Sequence, residues 1–575
     1  MRKGFDPIYT SARKITDLKD MIYSGLELFA DNPAFLEKSP ETGKYETVYY
    51  KEYVEEIECL GTALMKLGLK DEKLSVTGEN RYRWAVGYMA IVNGVGTVVP
   101  IDRLLPIHEI MNIVDRVNPA AIIYSGKKRE EMEEVAKKSE SVKYFIGMDL
   151  KPEDAKGKFL SYDALIEMGR QEIANGNREY LDAVIDPHAI RILLFTSATT
   201  SKSKAAMLSH HNLASNIMAS VTVIYMDQND RFLSLLPLHH TFECTAGFLV
   251  PVFMGASIAY CEGLKYITDN LKESGATIMM GVPLLFEGMY KKIWKKAEAS
   301  GSAGKLRFAL KLSNFLMKLG IDKRKKLFHS IYDAVGPTIR MFISGAAAMT
   351  PEIAEFYRNI GISFYQGYGL TETSPVLSVN SDTVFIDASA GKAIPGVEVQ
   401  IWEPNEEGIG EIVAKGPNVF AGYLDEPELN KEVFEGGYFH TGDMGYMDDD
   451  GFIFITGRKK SVIVTQNGKN IYPEEIELLI NTYPFVIESM VYGHIIEGTK
   501  EELITAVVYP DPEAIEAEFG KSDPEFIEAK VREMIREVNS KLVDYKKIKD
   551  VKIRNEEFVK TTTKKIKRYV PENRQ

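Results

Sequence analysis

The chain has 575 residues, of which 45% are hydrophobic and 26% charged, a composition typical of a large globular protein. Its formal net charge of -12 argues against bulk binding of nucleic acid, because an acidic protein is repelled by phosphate backbones. The three cysteines lack C-x-x-C spacing, so they predict neither a disulfide framework nor a zinc site, and they favour a reducing, cytoplasmic location.

Helix and strand patterns alternate in the first part of the chain. The spacing of apolar residues predicts three helices, each followed by a short strand, at 54–67 with 74–77, 84–92 with 97–101, and 108–117 with 120–124. This alternation is typical of a mostly parallel sheet covered by helices. The sequence therefore predicts an α/β fold.

Residues 193–212 join an apolar strand to a polar loop and then to an amphipathic helix. The loop carries hydroxyl and ammonium groups that can bind phosphate oxygens, on Thr196, Ser197, Thr199, Thr200, Lys202 and Lys204. It is not a Walker loop, since the G-x-x-x-x-G-K-[ST] pattern is absent. Without other nucleotide-binding segments, a solvated Ser/Thr loop is the simpler interpretation.

An uncharged segment at residues 244–261 is just long enough to raise the question of a membrane span. Its two glycines, Pro251 and Ser257 instead favour a buried helix followed by a turn and a strand. The N-terminal residues contain no apolar core, which argues against a secretory signal. We expect no transmembrane span, while peripheral contact with a membrane and the oligomeric state stay open.

Residues 366–375 read QGYGLTETSP and combine the groups that a magnesium nucleotide requires. The glycines allow a ligand to approach the backbone, and Tyr368 offers a face to a base. Thr371 can donate to a phosphate, and Glu372 supplies a hard oxygen ligand for Mg²⁺. For this stretch alone, a glycine turn before a Thr-capped helix is an equally good interpretation.

Beyond Arg458 the pattern changes to a compact α+β unit. It predicts a strand at 462–465, a turn at Asn467-Gly468, a helix opened by Pro473, a strand at 503–509 and a long final helix. That helix has Asp523 as N-cap and an apolar face formed by Phe526, Ile527, Val531, Met534, Ile535, Val538 and Leu542. Glu474, Glu475 and Glu477 follow Pro473, so we expect them to stabilise the start of a helix rather than to act as paired catalytic carboxylates.

Five motifs in order resemble the acyl-CoA synthetases of the adenylate-forming superfamily over nearly the whole chain. They are the loop at 193–212, LPLHHTFE at 236–243, ISGAAAM at 343–349, QGYGLTETSP at 366–375, and the run from YFHTGD to NIYPEEIE at 438–477. Three segments resemble the long-chain fatty-acid branch in particular: the motif LPLHHTFE, the segment VPLLFEGMY and an inserted helical stretch at 305–334.

The resemblance implies an AMP-forming fatty acid–CoA ligase. ATP, bound with Mg²⁺, would activate a fatty acid to an acyl-adenylate with release of pyrophosphate, and coenzyme A would then take the acyl group and release AMP. The implied partners are ATP, a fatty acid and coenzyme A, with no nucleic acid. Three alternatives stay open: transfer to a carrier protein, a catalytically weakened nucleotide or fatty-acid binding relative, and a membrane-surface protein, for which the sequence offers no strongly amphipathic anchor.

The same resemblance assigns roles to single residues. Asp443 would bind the ribose hydroxyls, Arg458 the ribose or a phosphate, and Tyr368 would stack on adenine. In the basic segment at 560–568, Lys565 would stabilise the reacting carboxylate and α-phosphate. Thr371, Glu372 and His240 would have catalytic roles, and Glu372 would also bind the metal. The remaining residues implied to bind the nucleotide are Gly345, Ala346, Gln366, Gly367 and Gly369.

Two domains are also implied, a large ATP- and acyl-binding domain over 1–459 with mostly parallel sheets and a small mobile α+β lid over 460–575 that carries the catalytic lysine. Lys460 would be the hinge between them, and Gly468 would lie at the tunnel for coenzyme A. The acyl pocket is expected at Met280, Gly281 and Phe286, for which ordinary core packing is the alternative.

The chain departs from the family pattern in two places. Ala198, Ser201 and Ala205 replace common glycines of the phosphate loop, and Ser203 replaces a proline. A non-glycine residue at positive φ costs about 1 kcal/mol, so a different loop path is expected. Lys564 stands where a glycine usually precedes the catalytic lysine.

Overall fold

The computed structural model describes residues 4–9, 12–196, 203–464, 469–495, 502–561 and 565–575. Up to residue 196 the helices are α1 (Leu18–Phe29), α2 (Tyr50–Lys66), α3 (Tyr82–Ala90), α4 (Ile107–Val117), α5 (Arg129–Lys138) and α6 (Tyr162–Ala174). The strands there are β1 (Pro33–Lys38), β2 (Tyr45–Tyr49), β3 (Lys73–Thr77), β4 (Thr97–Ile101), β5 (Ala121–Tyr124), β6 (Tyr144–Gly147), β7 (Phe159–Ser161) and β8 (Ile190–Thr196).

The middle of the chain adds helices α7 (His210–Ser220), α8 (Val250–Met254), α9 (Ile267–Ser274), α10 (Pro283–Ala299), α11 (Ala303–Lys318), α12 (Arg324–Leu327), α13 (His329–Val335) and α14 (Pro351–Ile360). Its strands are β9 (Lys204–Ser209), β10 (Arg231–Ser234), β11 (Ser257–Tyr260), β12 (Ile278–Gly281), β13 (Met341–Ser344), β14 (Ser363–Gly369), β15 (Val376–Val379) and β16 (Lys392–Ala393). A π-helix covers Phe242–Leu249, and a 3₁₀ turn covers Thr371–Thr373.

The last part has strands β17 (Glu398–Trp402), β18 (Gly410–Lys415), β19 (Phe434–Glu435), β20 (Tyr438–Met447), β21 (Ile453–Arg458), β22 (Ile463–Val464), β23 (Asn470–Ile471), β24 (Val486–Ile495), β25 (Glu502–Pro510) and β26 (Asp550–Ile553). Its helices are α15 (Pro427–Val433), α16 (Pro473–Asn481), α17 (Pro512–Phe519) and α18 (Pro524–Lys541).

Two large, mostly parallel sheets organise the first part of the fold, as predicted. One has seven strands in the order β7-β6-β5-β3-β4-β8-β9, and only β9 runs antiparallel to its neighbour. The other has nine strands in the order β16-β15-β14-β13-β12-β10-β11-β1-β2, antiparallel only at its two ends. An antiparallel sheet of β17 to β21 follows. The predicted α/β class is confirmed.

The helix and strand pairs expected from apolar spacing lie within two residues of their predicted positions, except that α2 begins at Tyr50, four residues before its predicted start. Helix α2 ends at Lys66, two residues before Gly68, whose φ of 75° suits a helix C-terminus. The uncharged segment at 244–261 forms a buried π-helix, helix α8, a left-handed turn at Gly255 and strand β11. Among the described residues no helix is long and apolar enough to cross a membrane.

The C-terminal elements have a hydrophobic core of their own. Helix α18 begins after Asp523, whose side chain accepts from the Phe526 amide, and it buries Val531 and Met534. Helix α16 packs on the same core, together with β24 and β25. This α+β unit matches the expected pattern, and the predicted turn at 467–468 lies outside the described residues. The domain boundary between residues 459 and 460 stays a prediction.

Candidate active site

A cavity of about 2300 Å³ opens at one edge of the nine-stranded sheet and reaches the C-terminal elements. Strands β10, β12, β13 and β14 are parallel, so their carboxyl ends meet at this edge, where α/β folds usually bind ligands. The candidate residues that line it are Thr196, Lys204, His240, Gly345, Ala346, Gln366, Gly367, Tyr368, Gly369, Thr371, Glu372, Asp443, Arg458, Lys460 and Lys565. Five widely separated motifs therefore converge on one cavity.

Five candidates cannot be located in this way. Ser197, Thr199, Thr200, Lys202 and Gly468 lie outside the described residues.

Asp443 and Arg458 face each other on neighbouring strands. They are partners in the register of β20 with β21, and Arg458 Nε lies 2.8 Å from Asp443 Oδ1. The Tyr368 hydroxyl donates to the other carboxylate oxygen, Oδ2, at 2.7 Å. Burial raises the pKa of Asp443, while Arg458, Tyr368 and Lys565 oppose that rise. The result is a carboxylate fixed on both sides in the cavity wall.

Glu372 follows β14 in a one-turn 3₁₀ helix and is 8% exposed. The Tyr423 hydroxyl donates to its Oε1 at 2.6 Å, which fixes the carboxylate in the cavity wall. The neighbouring Thr371 hydroxyl accepts from the Thr241 hydroxyl at 3.0 Å. The described residues contain no group of three or more metal-ligating side chains. A single carboxylate fits an Mg²⁺ ion held mainly by substrate phosphates and waters.

Lys565 extends from the C-terminal elements into the same cavity. Its side chain keeps contact with solvent there. The surrounding protein atoms nevertheless desolvate the ammonium group and lower its pKa, and the charge of Arg458 lowers the pKa further. The carboxylates of Asp443 and Glu372 oppose this shift. The cation therefore lies within electrostatic range of both acids, which is the position that a role in the cavity requires.

His240 lines the same cavity, within electrostatic range of Lys565. Burial lowers its pKa to about 3, and His239 and Lys565 contribute in the same direction. The ring is therefore neutral at physiological pH and can accept or donate a hydrogen bond. His239 also lines the cavity, with Nε2 at 3.5 Å from the Asp102 carboxylate.

The segment that carries Lys565 is fixed by an ion pair that the sequence did not reveal. Arg568 donates to both carboxylate oxygens of Glu477 on helix α16, at 2.7 Å to Oε1, and also to the carbonyl of Val491 at 3.1 Å. Glu477 is 8% exposed and also accepts from the Val491 amide. The expected role of Glu477 in helix-end electrostatics is therefore incomplete, because this carboxylate anchors the lysine-bearing segment.

Three residues predicted to contact the nucleotide are also constrained by the surrounding structure. Gln366 accepts from the Met349 amide at 3.0 Å and donates to the Asp387 carbonyl, so its amide orders the loop after β13. A Cβ atom at Gly369 would lie 1.8 Å from the Pro375 carbonyl oxygen, so this glycine is required by the chain itself. Ala346 adopts a left-handed φ of 72°, a strained conformation for a residue with a Cβ atom.

Strand β9 follows the phosphate loop, and the expected helix, α7, begins directly after it at His210. Lys204 begins β9, and its ammonium lies 5.2 Å from the centre of the Tyr423 ring. Ala205 pairs with Phe195 in this antiparallel ladder, where φ is negative, so its replacement of a glycine introduces no strain. Ala198 and Ser201, the other replaced glycines, lie outside the described residues, as does Lys564.

The residues expected to form the acyl pocket do not line the cavity. Met280 and Phe286 are 2% and 0% exposed in two hydrophobic cores, and Gly281 is packed against the Phe286 ring. The ordinary core interpretation is the correct one for all three. Apolar side chains of other segments line the cavity that His240 also lines, namely Ile224, Met226, Phe242, Ala246, Val250, Val376 and Val379.

Sequence reasoning missed this wall because its members come from three separate segments, 224–226, 242–250 and 376–379. Only the π-helix after His240 connects it to a recognised motif: Ala246 lies one turn after Phe242 and faces the same cavity. The other members show no distinctive spacing, so only the folded chain brings them together.

Comparison with known proteins identifies both parts of the chain. The family described as AMP-binding enzyme matches residues 26–424, and the AMP-binding enzyme C-terminal domain matches residues 460–572. Long-chain-fatty-acid–CoA ligase 6 of Mus musculus is 30% identical over 529 residues, covering 85% of this chain and 73% of the relative. Long-chain-fatty-acid–CoA ligase 1 of Cavia porcellus is 27% identical over 537 residues, covering 89% and 76%.

Solved structures share the fold over nearly the whole chain. ATP-bound MatB from Rhodopseudomonas palustris superposes with a TM-score of 0.72 at 25% identity and covers 96% of this chain and 97% of its own. The anthranilate CoA ligase AuaEII in complex with anthranoyl-AMP gives a TM-score of 0.77 at 19% identity, with 99% and 98% covered.

Proposed function

Because the chain belongs to the AMP-binding enzyme family, we propose that it joins a fatty acid to coenzyme A through an acyl-adenylate, with ATP and Mg²⁺ as co-substrates. The observation that supports this most strongly is the convergence of Lys565, Asp443, Arg458 and Glu372 on one cavity. These are the charges needed to hold a ribose, a triphosphate and a reacting carboxylate.

In the first proposed step a carboxylate oxygen of the acid attacks the α-phosphorus of ATP, and the bond to the β-phosphate oxygen breaks. Lys565 balances the charge that collects on the carboxylate and α-phosphate. Glu372 would hold Mg²⁺, which would supply further positive charge to the phosphates. Asp443 accepts hydrogen bonds from the ribose hydroxyls. The products of this step are acyl-AMP and pyrophosphate.

In the second step the coenzyme A sulfur attacks the acyl carbonyl carbon, and the carbon–oxygen bond to AMP breaks. We propose that the C-terminal unit turns about Lys460 between the two steps, which withdraws Lys565 and brings Gly468 to the path of the thiol. Neutral His240 lies beside the place where the acyl carbonyl would be bound. The products are acyl-CoA and AMP.

A fatty acid is the proposed substrate for two reasons. The apolar wall of the cavity offers aliphatic side chains, with Ile224, Met226 and Val250 among them, and methionine adapts to a flexible chain. Two of the curated relatives that the chain resembles are named long-chain-fatty-acid–CoA ligases. The free thiols of Cys59, Cys244 and Cys261 support a reducing, cytosolic location.

A screen of carboxylic acids tests the proposal. The protein is incubated with ATP, Mg²⁺ and straight-chain acids graded by length, with anthranilate and malonate for comparison, each with and without coenzyme A. We expect one pyrophosphate per enzyme without the thiol and continuous AMP release with it, fastest for long acids. Preference for the short or aromatic acids would contradict the fatty-acid proposal. Faster turnover with a phosphopantetheine-bearing carrier protein than with coenzyme A would identify the other acceptor.

Loss of the Arg568 anchor should slow the first step. In Arg568→Met the Lys565 segment loses its bond to Glu477, and a misplacement of about 1 Å costs on the order of 100-fold in rate. Carboxylate-dependent exchange of pyrophosphate into ATP measures this step. Thiol transfer from added acyl-adenylate should fall much less, because Lys565 is withdrawn for it.

The matched control for this prediction is Lys546→Met, which removes the ion pair of Lys546 with Glu475 on the same helix, 2.7 Å long, without contacting the lysine segment. Equal losses in the two steps for Arg568→Met, or a similar loss in the control, would mean that the anchor only stabilises the fold.

A further inference from the structure

A second unusual surface lies at residues 291–326, which run from helix α10 through α11 into α12. This segment overlaps the inserted stretch at 305–334 and is called the insertion below. This segment has twelve lysines and arginines against two acids, Glu298 and Asp322, in a protein whose net charge is -12. Within it, the ion pair found among the described residues joins Arg324 to Asp322. For the other cations of the segment, no carboxylate of the described residues lies within 4 Å.

Helix α11 of this insertion exposes large apolar side chains on its outer face. Phe308, Phe315 and Leu319 are 66%, 59% and 59% exposed. Their spacing of seven and four residues places them on one side of a helix with 3.6 residues per turn. Ile321, which follows the helix, is also exposed, at 43%.

The opposite face of α11 is fixed to the protein body. Leu306, Ala309 and Leu310 pack on the second hydrophobic core, and the buried Ser313 hydroxyl donates to the Asn359 carbonyl at 2.9 Å. The exposure of Phe308 and Phe315 is therefore not caused by the absence of a core, because α11 packs on a core with its other face. Its apolar residues occupy both faces, and only one face has a partner.

Lysines surround the exposed ridge. Lys311 and Lys318 each lie three residues after one of the phenylalanines, so their stems lie beside the rings on the helix surface. Such stems can cover apolar surface while the ammonium groups stay with polar headgroups. An apolar ridge with flanking cations is the arrangement of a helix that lies in a membrane interface.

We propose that helix α11 docks the protein on an anionic lipid bilayer, with Phe308, Phe315 and Leu319 inserted at the level of the headgroups. A second copy of the chain fits this face poorly, because its cations would meet the same cations across a two-fold axis. A nucleic acid would satisfy the lysines but leave the aliphatic side chains in water. The inference does not depend on the proposed enzymatic activity.

Flotation of the full-length protein with vesicles tests the proposal. Vesicles of phosphatidylcholine that contain phosphatidylglycerol should carry the protein, those of phosphatidylcholine alone should carry much less, and added salt should release it. Phe308→Ser with Phe315→Ser should reduce partition at least tenfold. Lys311→Glu with Lys318→Glu should reduce it by about fivefold or more for each charge and should weaken the salt dependence.

Val184→Ser is the matched control, since Val184 is 95% exposed outside the insertion, and it should bind vesicles as the unchanged protein does. Thermal unfolding verifies that each variant is folded. Failure of the unchanged protein to bind anionic vesicles, or unchanged binding of the double phenylalanine variant, would overturn the proposal. So would a dimer of the unchanged protein that becomes monomeric in the double phenylalanine variant, which would assign the face to self-association.

Discussion

Lys565→Ala should abolish measurable carboxylate-dependent exchange of pyrophosphate into ATP while largely sparing thioester formation from added acyl-adenylate. The loss in the first step should be about 100-fold to 1000-fold, the range found when one preorganised charge is removed from a developing anion. The physical reason is the position of this cation within electrostatic range of Asp443, Glu372 and Arg458, at the centre of the cavity.

Two measurements separate this role from a general loss of stability. Lys549→Ala removes an exposed lysine of the same C-terminal unit and should leave both steps unchanged. The half-reaction from acyl-adenylate should retain most of its rate in Lys565→Ala. If both half-reactions fall equally, the assignment of Lys565 to the first step is wrong.

Asp443→Ala should have the second largest effect, a loss of about 100-fold in kcat/KM for ATP. The carboxylate is 4% exposed and holds Arg458 on one oxygen and Tyr368 on the other. Its removal leaves Arg458 and Lys565 as uncompensated cations and takes away the acceptor proposed for the ribose hydroxyls. Tyr368→Phe removes one hydrogen bond to Asp443 and should cost only about tenfold.

The conservative variant Asp443→Asn gives a sharper readout through pH. Asp443 opposes the lowering of the Lys565 pKa, so loss of its charge should lower that pKa further. The alkaline limb of the exchange rate, where Lys565 loses its proton, should therefore move to lower pH. The exposed Asp449→Asn serves as control. An alkaline limb at the same pH in Asp443→Asn would contradict electrostatic coupling between the two residues.

The sequence predicted those parts of the fold that depend on local patterns. Helix α18 follows from its cap at Asp523 and its apolar spacing, and the βα alternation gave the parallel sheets, which the structure confirms. The resemblance to acyl-CoA synthetases is likewise confirmed by the family match. The cavity residues were predictable because each lies in a motif whose residue types suit a nucleotide.

Features that arise from contacts between distant segments could not be predicted. The bond of Arg568 to Glu477 joins residues 91 positions apart, and in the sequence both have simpler interpretations, as a basic patch and a helix start. Met280 and Phe286 look equally suitable for a pocket or a core, and only packing shows that they belong to the core. The exposed ridge on α11 was hidden because its apolar residues alternate with lysines on a helix that buries another face.

Transfer of oxygen from the acid to AMP tests the central claim most directly. A fatty acid labelled with ¹⁸O in its carboxylate is converted with ATP, Mg²⁺ and coenzyme A, and the AMP is analysed by mass spectrometry. If the carboxylate attacks the α-phosphorus and the thiol then breaks the carbon–oxygen bond, each AMP carries one labelled oxygen atom. Unlabelled AMP, with the label in inorganic phosphate or in no phosphate product, would contradict activation through an acyl-adenylate.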